Sequence, residues 1–216
     1  VVDQIIRYEK TPPVDQDYYD RMVFAADFED IKSNGYKADG IEDCAYIQTM
    51  EEIRKQMEII GFNIDRIYVK DKNSPPPKSY ANGTPVPVDV INEIKDSDTI
   101  NTNDLLVNKT IEGQLIIAHR GHGSLDGWVD PEFTTGDLDL VVNSVVSSKK
   151  VPVPTIFYSL SCYTGMFDRE KGKKCFAEKI LSIDAGAPSL IACTRDGYSW
   201  LNNYLMKAFF DAMWGN

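Results

Sequence analysis

The feature that most constrains the fold is a regular alternation of short apolar segments with segments of helical periodicity. Five segments have the length and apolar composition of β-strands: 22–28, 65–70, 114–123, 155–162 and 187–194. The segments with helical patterns are 44–61, 86–97, 134–146, 174–183 and 198–214. Because parallel strands need long crossover connections, this alternation predicts an α/β three-layer sandwich around a mostly parallel central sheet.

Length and charge narrow the function classes. The chain has 216 residues, of which 23 are basic and 33 acidic, so its net charge is −10. No basic stripe stands out, which argues against a nucleic-acid partner, and no apolar run is long enough for a membrane-spanning helix. Both ends of the sequence resemble cuts from a longer protein, and the first residues do not have the pattern of a signal peptide.

The histidines and one cysteine stand where two predicted strands end. The chain has two histidines, His119 and His122, at the end of the third strand, and Cys162 ends the fourth. In parallel sheets the chemistry collects at the carboxyl ends of the strands, and adjacent strand ends lie about 5 Å apart. If these strands are neighbours, a thiol and an imidazole face one cleft, which is the minimal nucleophile and base pair.

The two histidines are expected to have different roles. His122 lies between two glycines, where the backbone can approach a ligand closely, so we interpret it as the base and His119 as structural. The alternatives are a pair of metal ligands or two core histidines. Residues three apart on a strand point to opposite faces, so joint metal ligation is poor.

Other candidate sites are weaker. The spacing of Cys44, Cys162, Cys175 and Cys193 matches no zinc pattern, and we interpret all but Cys162 as buried structural thiols. Acidic residues cluster in two loops and could offer oxygen ligands to a structural calcium ion, but no EF-hand pattern is present and solvated acids are the simpler interpretation. The acids in these loops are Asp27, Glu29, Asp30, Asp39, Glu42 and Asp43.

Four segments carry a resemblance to a known family. GHGSLDGWVDP (121–131), YSLSCYTGMFD (158–168), CFAEKIL (175–181) and YSW (198–200) occur in this order, with a His-Gly after one hydrophobic strand and a Cys after the next. Together they resemble the gingipain family of cysteine peptidases, which has the caspase-like fold. The similarity extends over roughly residues 20 to 214.

The resemblance implies a cysteine endopeptidase with His122 and Cys162 as its dyad and no required cofactor. It implies an oxyanion hole from the backbone N–H groups of Gly123 and Cys162. It also implies that Trp200 lines the pocket for the residue before the scissile bond. The family has an acid on the loop after the second strand, so Asp71 or Asp65 could orient the histidine, although both could be solvated acids.

The same resemblance implies a domain division and a location. Residues 1–20 are expected to be a linker or remnant of an amino-terminal subdomain that this chain lacks. Residues 21–216 are expected to form the peptidase catalytic domain. The substrate would be a protein or peptide, and the protein would be secreted or on the cell surface.

Arg120 is a departure from the family pattern, because the best-known members have a small polar residue two before the histidine. In an extended strand Arg120 and His122 point to the same side. One hypothesis is that Arg120 reaches the substrate pocket and favours an acidic residue before the cut, because a guanidinium fork suits a carboxylate. The alternative is a surface arginine paired with Asp126 or Asp130.

Two other function classes compete with the peptidase. The first is a catalytically inactive relative that binds peptides or proteins, which the presence of both dyad residues disfavours. The second is a flavodoxin-like nucleotide binder, which is disfavoured because no predicted strand is followed by a glycine-rich phosphate loop. The sequence does not indicate the oligomeric state.

Overall fold

A six-stranded parallel sheet organises the computed structural model, which describes residues 2–31, 37–99, 101–149, 151–168 and 172–215. The strand order is β3-β2-β1-β4-β8-β9, and a separate three-stranded antiparallel sheet has the order β5-β6-β7. The strands are β1 (Arg21–Asp27), β2 (Asn63–Lys70), β3 (Ile94–Asp96), β4 (Ile116–Arg120), β5 (Gly123–Ser124), β6 (Gly127–Trp128), β7 (Phe133–Thr134), β8 (Ile156–Ser159) and β9 (Leu190–Ala192).

Helices cover both faces of the main sheet. They are α1 (Val2–Lys10), α2 (Tyr46–Ile59), α3 (Val88–Glu93), α4 (Thr102–Glu112), α5 (Thr135–Ser148), α6 (Phe176–Ser182) and α7 (Ser199–Trp214), with a short 3-10 helix at Gln16–Tyr19. None of the helices in the described residues combines the length and the apolar composition needed to cross a membrane.

Alternate residues of the central strands build two separate cores. On one face, Phe24 and Ala26 of β1 pack with residues of α2 and α7, such as Met50 and Phe210. On the other face, Val23 packs in a second core with residues of α4, α5 and α6. Because β1 lies between two neighbours and under helices on both sides, all but its first residue are buried. The predicted three-layer α/β sandwich is therefore confirmed.

The structure differs from the prediction in its shorter elements. The predicted helix 86–97 ends at Glu93, and the chain continues as the edge strand β3. Helices α1 and α4 and the strands β5 to β7 were not predicted. The three small strands have two residues each, which is too short for any periodicity to show.

The amino-terminal segment packs against the domain through polar contacts. Gln4 donates a hydrogen bond to the carbonyl of Ile183, and Arg7 donates to the carbonyl of Asp184 at 2.8 Å. Val2, Ile5 and Ile6 stand at helical spacing, but their side chains are exposed and the helix has nine residues, and the sequence analysis interpreted this stretch as a linker. Whether residues 1–20 are the remnant of a further subdomain stays a prediction.

Candidate active site

The strands that end near the thiol and the imidazole are neighbours. β4 and β8 pair in parallel, with Ala118 opposite Tyr158 and His119 opposite Ser159. His122 and Cys162 each follow that last pair by three residues, so they leave the same edge of the sheet. This adjacency, which the sequence analysis assumed, is confirmed.

The turns that carry the two residues touch each other at Gly123. A side-chain carbon at Gly123 would lie 2.6 Å from Cβ of Ser161 and 2.8 Å from the carbonyl oxygen of Cys162. No larger residue fits without moving one of the two turns. Glycine at position 123 thus lets the backbone next to the imidazole lie directly against the backbone of the thiol residue.

His119 is a core residue, as predicted. Its ring is fully buried and stacks on Trp128 with 4.3 Å between ring centroids. Its Nε2–H donates to the carbonyl of Asp130 at 3.1 Å, so Nδ1 accepts from the hydroxyl of Ser161 at 2.5 Å. Burial lowers the pKa of His119 to about 3, and the ring therefore stays neutral.

His122 has the opposite environment. Its side chain is 52% exposed, and its Nε2–H donates to Oε1 of Glu29 at 2.9 Å. The ring also meets the ring of Tyr46 edge-on, with 6.0 Å between centroids. The hydrogen bond to Glu29 raises the pKa of His122 above its usual value, against the opposing effect of partial burial. With Nε2 held by the carboxylate, Nδ1 is the ring nitrogen left for proton transfer.

The acid beside His122 is therefore Glu29, and the expectation of Asp71 or Asp65 is corrected. The Asp71 carboxylate accepts hydrogen bonds from the backbone N–H and the side-chain amide of Asn73, at 2.6 and 3.0 Å. Asp65 pairs with Lys109 at 2.7 Å. Glu29 follows β1, which adjoins β4, so the acid comes from the loop after the first strand and not from the loop after the second.

Glu29 is buried and still ionised. Burial alone would raise its pKa, but the hydrogen bond from His122 helps to hold the pKa below its usual value. Its exposed fraction is 4%, and its Oε2 has no hydrogen-bond partner among the described residues. A buried carboxylate with a free oxygen and a histidine partner differs from the solvated acid that the sequence suggested.

The interpretation of the two acidic loops as solvated is wrong for most of their acids. Asp27, Asp30 and Glu42 are 8%, 8% and 1% exposed, whereas Asp39 and Asp43 are exposed. Asp30 and Glu42 accept backbone N–H groups, so they hold loops together. Among the described residues, no group of three or more histidines, cysteines or acids is arranged to hold a metal ion.

Cys162 is half-buried and lies beside the loop that leads into α7. The N–H of Gly197 donates to its sulfur at 3.3 Å. Trp200 follows three residues later in the first turn of α7, and its side chain is 60% exposed. The structure therefore brings the loop before Trp200 to the thiol and leaves the indole open to solvent.

Arg120 is a buried side chain, so both interpretations are corrected: it is not a surface arginine, and it does not reach a substrate pocket. It is 1% exposed, and its guanidinium lies over the Tyr46 ring at 4.8 Å. It donates to Oδ1 of Asn203 at 2.7 Å, to the carbonyl of Ser199 at 3.1 Å and to the carbonyl of Leu160. All of these acceptors are neutral, and the arginine bridges the strand that leads to Cys162 and the start of α7.

The other cysteines match the structural interpretation in part. Cys175 is fully buried, whereas Cys44 and Cys193 are partly buried beside the first core. Burial raises the pKa of Cys44 to about 12, and burial also raises the pKa values of Cys175 and Cys193. These three thiols are therefore poor nucleophiles.

Comparisons with known proteins agree with this arrangement. A crystal structure of the Arg-specific cysteine proteinase gingipain R matches with a TM-score of 0.64 at 17% identity, over 98% of this chain and 40% of that one. The complex of the pro- and mature domains of RgpB from Porphyromonas gingivalis matches with a TM-score of 0.57 at 17% identity, over 91% of this chain and 38% of that one. A search of curated proteins finds no match.

The structural likeness confirms the caspase-like fold, although the chain spans only about two fifths of the length of the gingipain structures. The family model of peptidase family C25 matches residues 1–216, the whole chain. The chain therefore belongs to peptidase family C25, the gingipain-like cysteine peptidases.

Proposed function

We propose that this protein is a cysteine endopeptidase that cuts peptide bonds with Cys162 as nucleophile and His122 as acid and base. The observation that carries the proposal is the pairing of β4 with β8, which brings the turns of His122 and Cys162 into contact at Gly123. Family membership and the three poor thiols elsewhere support the same assignment.

The reaction would proceed through an acyl-enzyme. The thiolate of Cys162 attacks the carbonyl carbon of the scissile peptide bond and forms a tetrahedral oxyanion. The imidazolium of His122 then gives its proton to the departing amine, and a thioester remains. His122 takes a proton from water, the hydroxide attacks the thioester, and Cys162 leaves as a thiolate.

The oxyanion would accept hydrogen bonds from the backbone N–H groups of Gly123 and Cys162. Gly123 faces Trp128 in the antiparallel β5-β6 pair, and the N–H of Val129 donates to the carbonyl of His122 at 3.1 Å. Hydrogen-bonded and non-hydrogen-bonded pairs alternate in such a ladder, so the N–H of Gly123 points away from β6. That direction supports a role in binding a ligand rather than in the sheet.

Glu29 would act as a positioning residue. Its hydrogen bond fixes Nε2 of His122 as the protonated nitrogen and turns Nδ1 towards the reaction. Its negative charge raises the pKa of His122, which keeps a proton available for the leaving amine. No metal or other cofactor is needed for these steps.

Trp200 would contact the residue before the cut, whereas Arg120 would not. The guanidinium of Arg120 is 1% exposed and donates to Leu160, Ser199 and Asn203, so a substrate side chain does not reach it. Its hydrogen bonds instead hold the loop before Cys162 against the start of α7. We therefore propose that the exposed ring of Trp200 is a wall of the pocket for the residue before the scissile bond.

Peptide-library cleavage tests the activity and reports which residue is preferred before the cut. The wild-type protein should cut peptides, and the Cys162→Ala variant should cut none. Retained cleavage by Cys162→Ala would contradict the nucleophile.

Thiol labelling separates a peptidase from a peptide-binding relative without activity. Iodoacetamide should modify Cys162 faster than the other three cysteines, and His122→Ala should remove that difference. Peptide mapping by mass spectrometry reads each cysteine separately. Equal, slow labelling of all four would favour a binding module.

A secreted or cell-surface location is proposed from family membership alone.

A further inference from the structure

An acid-lined cavity lies on the other side of His122 from the thiol. The sheet order β3-β2-β1-β4-β8-β9 puts the loops after β1 and β2 on one flank of His122 and Cys162 on the other. The cavity has a volume of about 380 Å³ and is bounded by those two loops, by His122 and by Asp130. Its acidic lining residues are Asp27, Glu29, Asp30, Asp71 and Asp130.

Several of these carboxyl groups have unused hydrogen-bonding capacity. Asp27 is 8% exposed, and its carboxyl makes no hydrogen bond or ion pair with any described residue. The side chain of Asp130 likewise has none within the part of the chain that the structure describes, and Oε2 of Glu29 has no partner there either. Buried polar groups are normally satisfied, so the largely buried carboxyl groups of Asp27 and Glu29 point to a missing donor, while the partly buried Asp130 adds charge to the same cavity wall.

The cavity also lacks a compensating cation of its own. Of the described residues that line it, only His122 can carry a positive charge, and that charge is shared with Glu29. Lys70, at the end of the adjoining strand β2, is paired with Asp96 at 2.5 Å and does not line the cavity. Burial and repulsion by Asp130 and Glu29 raise the pKa of Asp27, which an incoming cation would relieve.

We propose that this cavity is a subsite for a lysine or arginine side chain on the leaving side of the substrate. The assignment to the leaving side rests on the proposed peptidase function. His122 would give its proton to the departing amine, so the substrate residues attached to that amine would lie on the His122 side of the site. A metal ion fits less well, because no group of described acids and histidines has the arrangement of a metal site. A substrate cation would pair with Asp27, which has no other partner among the described residues, while Asp130 and Glu29 add negative charge to the same cavity.

Binding to the inactive Cys162→Ala variant tests the subsite without any need for hydrolysis. Two tetrapeptide amides are compared, Lys-Lys-Ala-Ala and norleucine-norleucine-Ala-Ala, which have the same side-chain length and differ in charge. Because the chain has two histidines, the ring signals of His122 and His119 can be followed separately by NMR during titration. We expect the lysine peptide to bind at least about fivefold more tightly and to shift the His122 signals.

Asp27→Asn in the same background should abolish the difference between the peptides, as should Asp130→Asn. Asp139→Asn, which removes an exposed carboxylate on α5, should leave the difference unchanged. Equal binding of the two peptides would overturn the subsite. A preference that survives in both Asp27→Asn and Asp130→Asn would also overturn it.

The outcome separates the subsite from the proposed activity. If the wild-type protein cuts no peptide but Cys162→Ala still prefers the lysine peptide through Asp27, the activity is wrong and the cation site remains. If the wild-type protein cuts peptides with no preference for a basic residue after the cut, and the two tetrapeptides bind equally, the peptidase remains and the subsite is wrong.

Discussion

The two histidines stand three residues apart at the end of one strand, and they differ in almost every physical respect. His119 is fully buried, stacked on Trp128 and held neutral, with a pKa lowered to about 3. His122 is 52% exposed, and its hydrogen bond to Glu29 raises its pKa. The comparison shows that the partner and the burial of an imidazole decide its chemistry, while its place in the sequence does not.

The largest expected effects come from removing each histidine ring in turn. His122→Ala should reduce kcat/KM for a peptide substrate about 10²- to 10⁴-fold, because general acid–base catalysis contributes about that much. Its free energy of unfolding at neutral pH should fall less than that of His119→Ala, because the ring is half exposed and the loss comes from leaving the buried Glu29 carboxylate without its partner. Steady-state kinetics with urea unfolding of the same sample measures both. An inactive variant that is also largely unfolded would contradict the assignment of His122.

His119→Ala should show the reverse pattern. Removing a buried, stacked ring leaves a cavity and an unpaired Ser161 hydroxyl, which together cost about 3 kcal/mol of unfolding free energy. Because the folded pKa is about 3, the unfolded chain binds a proton below about pH 6.5 that the folded chain does not, so wild-type stability falls as the pH drops through this range.

The loss of unfolding free energy in His119→Ala should therefore be smaller at pH 5 than at pH 8, as measured by urea unfolding at both values.

The stability contribution of the His122–Glu29 pair depends on pH in the opposite direction. A raised pKa stabilises the fold below the unfolded value near 6.5, and this contribution is lost as the pH rises through the folded pKa. If His119→Ala and His122→Ala changed stability with the same pH trend, the contrast between the rings would be wrong.

Glu29→Gln tests the difference between the two histidines by changing the hydrogen-bond partner of His122. The amide oxygen can still accept from Nε2 of His122, but the negative charge is gone, so the pKa of His122 should fall. We expect kcat to drop about 10- to 100-fold, as for other residues that orient a reacting imidazole. The pH at which activity is lost on the alkaline side should move to lower values. Glu29→Ala, which removes both the charge and the acceptor, is the control and should be more severe.

The smallest expected effect on activity concerns a second buried carboxyl, Glu42, which has no cationic partner among the described residues. It is 1% exposed and accepts the N–H of Ile47 at 2.6 Å, and burial raises its pKa to about 8. Between about pH 4.5 and 8 the unfolded chain ionises Glu42 while the folded chain keeps its proton, so wild-type stability falls as the pH rises. Glu42→Gln should therefore gain about 3 kcal/mol of unfolding free energy relative to wild type at pH 8 compared with pH 5.

Thermal unfolding at the two pH values measures the effect of Glu42→Gln. Glu52→Gln, on the exposed face of α2, is the matched control and should show no comparable change with pH. A Glu42→Gln variant whose stability followed wild type at both values would mean that the carboxyl is ionised in the fold. Both Glu42 and Glu29 would then be ionised in the folded protein, although only Glu29 has a histidine partner.

The sheet and the positions of the two proposed reacting groups were predictable because each leaves a local signature. Long apolar runs such as 22–28 mark strands that are covered on both faces, and the end-of-strand rule locates His122 and Cys162. The acid partner left no such signature. Glu29 lies in a stretch of acids that looks solvated in sequence, and its burial depends on loops that pack over it from β2 and α2.

The burial of Arg120 could not be predicted from the sequence either, because its hydrogen-bond acceptors lie far along the chain at Leu160, Ser199 and Asn203. Helix α4 carries few apolar residues at regular spacing, and only Leu106 and Val107 enter the core from it. Where a helix is stabilised mainly by tertiary contacts, its own sequence pattern gives little indication that a helix is present.

The hydrogen bond between Ser161 and His119 has a consequence for the orientation of the Cys162 thiol. Ser161 precedes Cys162 directly, and its hydroxyl is tied to a ring that is itself clamped between Trp128 and the Asp130 carbonyl. The direction in which the sulfur projects is thus set by a neutral imidazole in the interior. Strong acid that protonated this ring would turn the acceptor into a donor and misalign the thiol before the sheet unfolds.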